Sequence, residues 1–173
     1  MVCSVLIAGE IAAKNIDSLN KFGKAKFDVE NGHVVALGGK STEKNEAFVY
    51  TVNKPANVAT DIFYMVNEPV NVLVNGKYSG LTDDPREFYI PDGKVFTMYK
   101  PMVGDEIVIT EDGIEGAKGN NTYVVPEGGK TKLKWAAEAD VSGVSLAYKY
   151  VGDTYVSIGN ERVEAYRFIC VKA

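Results

Sequence analysis

Short runs of strand-forming residues, each closed by a turn signal, constrain this chain more than anything else in it. "AFVYTV" (47–52), "DIFYMV" (61–66), "VNVLV" (70–74), "KVFTMYK" (94–100), "DEIVIT" (105–110) and "AYRFICV" (165–171) are rich in β-branched and aromatic residues. Such residues suit a pleated surface. In "VNVLV", Val70, Val72 and Val74 fall on one face, because successive strand side chains point to opposite sides. Asn75-Gly76, Pro91-Asp92-Gly93 and Gly159-Asn160 supply turn chemistry between runs. Glycine and asparagine there tolerate positive φ, and proline presets its own φ. Helical signals are few. Asn15 is placed to cap a short helix through Ile16 and Leu19 that stops at Gly23, and "KWAAEADVSG" has room for a turn or two ending at Gly143. The expectation is a mainly β protein, an antiparallel β-sandwich or small barrel with many hairpins and few short helical turns.

The chain has 173 residues, enough for a real hydrophobic core in one domain. We divide it into an N-terminal arm or edge strand (1–20), a β-rich core (21–125) and a C-terminal β-hairpin unit (126–173) that can belong to the same domain. The stretch 116–132, rich in Gly, Asn and Lys, reads as the softest joint. The apolar start "VCSVLI" lacks the basic leader and long apolar core of a secretory signal. No segment approaches the ~20 apolar residues of a membrane-spanning helix. The reading is a soluble protein with no membrane partner.

Net charge is −4, the lysines are scattered, and the only arginines are Arg86, Arg162 and Arg167. Nucleic-acid binders neutralise phosphates with a basic stripe. None is visible in the sequence, so no nucleic-acid partner is expected.

Several patterns resemble chemistry and lose it on inspection. Gly39-Lys40-Ser41 ends like a phosphate loop, but that motif needs glycine at position 34, where Val34 stands. The segment reads instead as a turn at Asn31-Gly32, a short strand from 34 to 37 and a polar loop from 38 to 46. His33, the only histidine, reads as a surface or loop-edge residue. Cys3 and Cys170 read as unpaired thiols, with no zinc-ligand spacing around them. The carboxylates Asp83-Asp84, Asp105-Glu106 and Glu111-Asp112 with Glu115 read as solvated loop charges. Tyr78, Phe88, Tyr89, Phe96 and Tyr99 read as core and cross-strand pairs rather than a sugar platform. No catalytic residue, metal or cofactor is assigned, and no enzymatic activity is expected.

One stretch is familiar. "KFDVENGHVVALGG", then "EAFVYTVNKPA", "DIFYMVNEPV" and "MYKPMVGDEIVIT", resembles the auxiliary head proteins, or capsid decoration proteins, of tailed bacteriophages of Gram-positive hosts. The likeness runs over residues 26–116 and lies in strands and turns. It comprises Val29 through Asn31-Gly32 to Gly39, Val49-Tyr50 with Pro55, and Gly104-Asp105. The resemblance implies a non-enzymatic virion protein, made in the host cytoplasm, on the capsid exterior. Its partner would be the major capsid protein, together with neighbouring copies or a trimer of itself. Val2, Val5, Leu6 and Ile7 are then candidate contacts through an edge strand, and Asn75-Gly76 through an exposed turn. The rival readings are another β-rich phage part, such as a tail tube or fibre-like component, and a carbohydrate-binding module.

Overall fold

A computed structural model describes residues 2–70 and 84–173. The strand at 70–74 and the Asn75-Gly76 turn therefore lie outside the described residues, apart from Val70. In chain order the strands are β1 (Leu6–Ala8), β2 (Asn20–Lys24), β3 (Val34–Lys40), β4 (Val49–Asn53), β5 (Phe63–Val66), β6 (Val95–Tyr99) and β7 (Glu106–Thr110). They continue with β8 (Ile114–Glu115), β9 (Tyr123–Pro126), β10 (Leu133–Ala136), β11 (Ala147–Ile158) and β12 (Glu161–Lys172). The helical content among the described residues is confined to short 3-10 turns. None is long and apolar enough to cross a membrane.

The mainly β expectation holds, and the protein uses a small barrel together with an open sheet. Strands β2-β4-β3-β5-β6 close into a five-stranded barrel, and the other strands form a seven-stranded sheet in the order β1-β7-β12-β11-β9-β10-β8. Purely antiparallel pairing is impossible in the barrel. An odd number of strands closed on itself cannot alternate in direction, so at least one neighbouring pair must run parallel. That pair is β2 and β4. A second parallel contact joins β8 to β10 at the end of the sheet.

Two core clusters explain why some strands alternate and others do not. Inside the barrel lie Val35, Val52, Tyr64, Val66, Phe96 and Met98. The larger cluster joins barrel to sheet: Val34, Ala36, Phe63, Met65 and Tyr99 meet Ile107, Ile109, Leu133, Trp135, Tyr148 and Phe168. Strands β3 and β5 are the shared wall. Val35 and Tyr64 point into the barrel, and Val34, Phe63 and Met65 point at the sheet. All four residues of β5 are buried, as doubly covered strands require, so "FYMV" is a continuous apolar run. Around Trp135, the rings of Tyr166, Phe168 and Tyr150 stand at 5.3, 5.6 and 5.9 Å in edge or tilted contacts, a favoured aromatic geometry.

Local expectations meet tertiary corrections at three places. The helix through Ile16 and Leu19 is replaced by 3-10 turns at Ala12–Lys14 and Asp17–Leu19. Gly23 stops no helix. It lies in β2, where an added Cβ would stand 2.9 Å from the Phe96 ring. Pairing with β6 decides that segment, with Phe22 opposite Thr97. The soft joint at 116–132 contains β9, whose Val124 and Val125 are buried.

The turn at Asn31-Gly32 is as read, with Gly32 at φ +84° and the His33 N–H donating to the Glu30 carbonyl at 3.1 Å. The strand after it runs on to Lys40 because β3 bulges: Leu37 faces Val52, then Lys40 faces Tyr50. Gly38 is demanded here by close approach, since a Cβ would sit 2.6 Å from the Thr51 carbonyl oxygen, while Gly39 has nothing within 4 Å. Gly38→Ala is expected to destabilise by about 1–3 kcal/mol, as overpacking does, and Gly39→Ala by less than about 0.5 kcal/mol. Urea midpoints of the two variants check this, and equal midpoints would refute the bulge contact.

Candidate functional site

The N-terminal residues are tied down before they reach β1. The Cys3 N–H donates to the Arg86 carbonyl at 2.6 Å, the Ser4 N–H to Glu30 Oε2 at 2.7 Å, and the Ser4 hydroxyl to the Asn31 carbonyl. Val5 exchanges bonds with Thr110, its N–H to Oγ1 at 2.9 Å and its carbonyl from the Thr110 N–H at 3.1 Å. Strand β1 then pairs antiparallel with β7, Ile7 opposite Val108, and ends the sheet. Among the contact candidates, Leu6 packs on the shared core, Val5 is half-buried, and Val2 and Ile7 are exposed. Asn75 and Gly76 lie outside the described residues. Register puts Ile7, Val108, Arg167 and Val171 on the outer sheet face. Val103, 66% exposed, stands in the adjoining turn, whose Gly104 N–H donates to the Cys170 carbonyl at 2.8 Å.

Behind β1 is a buried polar knot that overturns the surface reading of His33. The histidine is 5% exposed. Its Nδ1 lies 2.9 Å from Thr131 Oγ1 and accepts from the Glu30 N–H at 3.3 Å. Nδ1 is therefore the acceptor, and the ring proton sits on Nε2. Nε2 has no hydrogen-bond partner and lies 3.7 Å from Glu30 Oε2. Burial, with the nearby Lys132 charge, lowers the His33 pKa to about 3. The imidazole is therefore neutral at pH 7. The Ser4 hydroxyl is spent on the Asn31 backbone carbonyl.

Asp105 also departs from the solvated-charge reading. It is 3% exposed, and its carboxylate accepts from the Ala12 N–H at 2.9 Å and the Met102 N–H at 2.9 Å. It fastens the first 3-10 turn to the turn that opens β7. Cys3 and Cys170 are free and buried. Burial raises their thiols to about 11 and about 12, which keeps them protonated and unreactive. Phe96 and Tyr99 are core residues, each 1% exposed, while Tyr89 is 41% exposed. Phe88 packs on the barrel cluster, and Tyr78 lies outside the described residues. No group of three or more His, Cys, Asp or Glu among the described residues is placed to hold a metal.

The barrel wall gathers lysines that look scattered along the chain. Lys24, Lys26 and Lys40 line a cleft of about 630 Å³ with Phe27, Thr42, Thr51 and Asn53. Lys54 lies over the Phe27 ring at 5.3 Å, and Lys21 and Lys40 lie over Tyr50 at 5.1 and 5.8 Å. Lys24 is neutralised by Glu43 and Glu46, at 3.1 and 2.8 Å. The hydrogen bonds it donates to these two carboxylates, to Glu46 first, hold the Lys24 ammonium above its ordinary pKa. The sequence hid this cluster because β4 stands between β2 and β3 in the barrel, and only that neighbourhood unites residues 21–26, 40 and 54. No family model, no curated protein and no solved structure matches the chain.

Proposed function

We propose that the protein is a non-enzymatic virion component that binds the outer surface of a phage capsid and stabilises the shell. The observation that carries this reading is the run of turns and strands at Val29 to Gly39, Val49-Tyr50 with Pro55, and Gly104-Asp105, which resembles the capsid decoration proteins. Two features of the fold support it. Barrel and sheet share one core, so a load on one is passed to the other through packed side chains. The outer sheet face carries exposed Ile7 and Val171 around Arg167, and exposed Val103 stands in the adjoining turn, a mix of aliphatic and arginine side chains of the kind found in protein interfaces. Many copies on one shell would make a modest contact sufficient.

The test mixes purified protein with undecorated capsids in each maturation state and reads added density and heat resistance. Removing residues 2–8 would be uninformative, because Cys3 and Ser4 are built into the fold. The informative variant is Ile7→Asp with Val103→Asp, both at exposed positions. Wild type is expected to bind and raise capsid heat resistance. The double variant is expected to remain folded and bind at least about tenfold more weakly. Absence of wild-type binding to every capsid state rejects the reading. Assembly into rings or fibres without capsids would favour a tail component instead.

A further inference from the structure

We propose that the lysine-lined cleft on the barrel wall binds an acidic peptide segment, with carboxylates spaced along an extended chain. In a protein of net charge −4, Lys26 and Lys40 in the cleft, and Lys21 and Lys54 beside it, form no ion pair among the described residues, while Lys24 is paired with Glu43, which also lines the cleft. Like charges gathered on one surface repel, and an anionic ligand relieves that cost. The cleft volume, about 630 Å³, lies in the range of ligand-binding clefts. The ring contacts of Lys21, Lys40 and Lys54 hold long stems in place, which lowers the entropy lost on binding.

The chemistry favours carboxylates over phosphate. The cleft itself is lined by Lys24 at the end of β2, Lys26 just past it and Lys40 at the end of β3, and Lys54 lies beside it over the Phe27 ring. No backbone cradle backs them: the strand leaving Lys40 spends its N–H on the ladder, with Ser41 donating to the Val49 carbonyl at 2.8 Å. A phosphate loop needs free N–H groups wrapped around one anion. The chain already shows the occupant's chemistry, because Glu43 and Glu46 of its own loop reach Lys24 at the rim. Thr42 and Asn53 add side-chain hydrogen-bonding groups suited to a peptide backbone.

The probe is a fluorescently labelled octaglutamate peptide, followed by anisotropy at low salt with the full chain. Binding is expected to weaken as salt rises. Lys26→Glu with Lys40→Glu should weaken it at least about tenfold, with an unchanged circular dichroism spectrum. Lys149→Glu, an exposed charge on β11, should change it less than about twofold. Inorganic triphosphate and a short oligothymidylate should displace the probe less well than unlabelled peptide. No binding, equal weakening by Lys149→Glu, or better displacement by either phosphate compound overturns the proposal. The capsid assay reads Ile7 and Val103 on the sheet side, so either inference can fail while the other stands.

Discussion

Phe168→Ala is expected to lower stability by about 3–5 kcal/mol, the cost of deleting a buried phenyl ring from a packed core. Phe168 is 1% exposed, lies 5.6 Å from the ring of Trp135, and belongs to the cluster that barrel and sheet share. The cavity would open beside Trp135, Tyr150 and Tyr166 of the sheet, within the cluster that Met65 and Tyr99 of the barrel complete. A melting point lower by roughly 10 °C corresponds to this for a chain of such length. Trp135 is the only tryptophan, so its fluorescence reports the sheet side, while far-ultraviolet circular dichroism reports all strands. The two probes should give one coincident transition in wild type and variant alike. A variant in which the fluorescence transition moves and a separate dichroism transition stays put would show that barrel and sheet do not share a core.

Acid should weaken the protein through His33. The folded state holds its imidazole neutral down to about pH 3, while the unfolded chain protonates it below its ordinary value of 6.5. Between those values the unfolded state binds more protons, so stability is fully present above pH 6.5 and falls as pH drops. At about 1.4 kcal/mol per pH unit, roughly 3 kcal/mol is lost between pH 7 and pH 4. His33→Gln keeps a side-chain acceptor for Thr131 and removes the titration. Its stability at pH 7 will be lower, but its curve from pH 7 to pH 4 should be flatter by that amount. Urea unfolding of both proteins at several pH values gives the comparison. Parallel curves would mean that the histidine is already protonated or is solvated in the native state.

Much of the fold is legible locally, and the misses have a common cause. The runs at 47–52, 61–66, 94–100, 105–110 and 165–171 all contain strands, because β-branched and aromatic side chains prefer a pleated surface wherever they sit. The turns at Gly32, Gly93, Gly104 and Gly159 have positive φ, because only the absence of a Cβ makes that backbone cheap. His33 and Asp105 depart from their surface reading, which rests on polar residues next to turns being ordinarily exposed. What buries them comes from far along the chain: Thr131, 98 residues beyond His33, and Ala12, 93 residues before Asp105. The lysine cleft is illegible in the sequence for the same reason.

The division between sequence and tertiary structure is therefore physical. The chain by itself determined its β class and its turn positions, since alternation and φ freedom are properties of neighbouring residues. Only the tertiary structure decided that five strands close into a barrel with one parallel pair, that the N-terminal segment joins its own sheet, and that lysines from two separate segments share a cleft. Those outcomes depend on which distant surfaces meet, and distance along the chain carries no record of that.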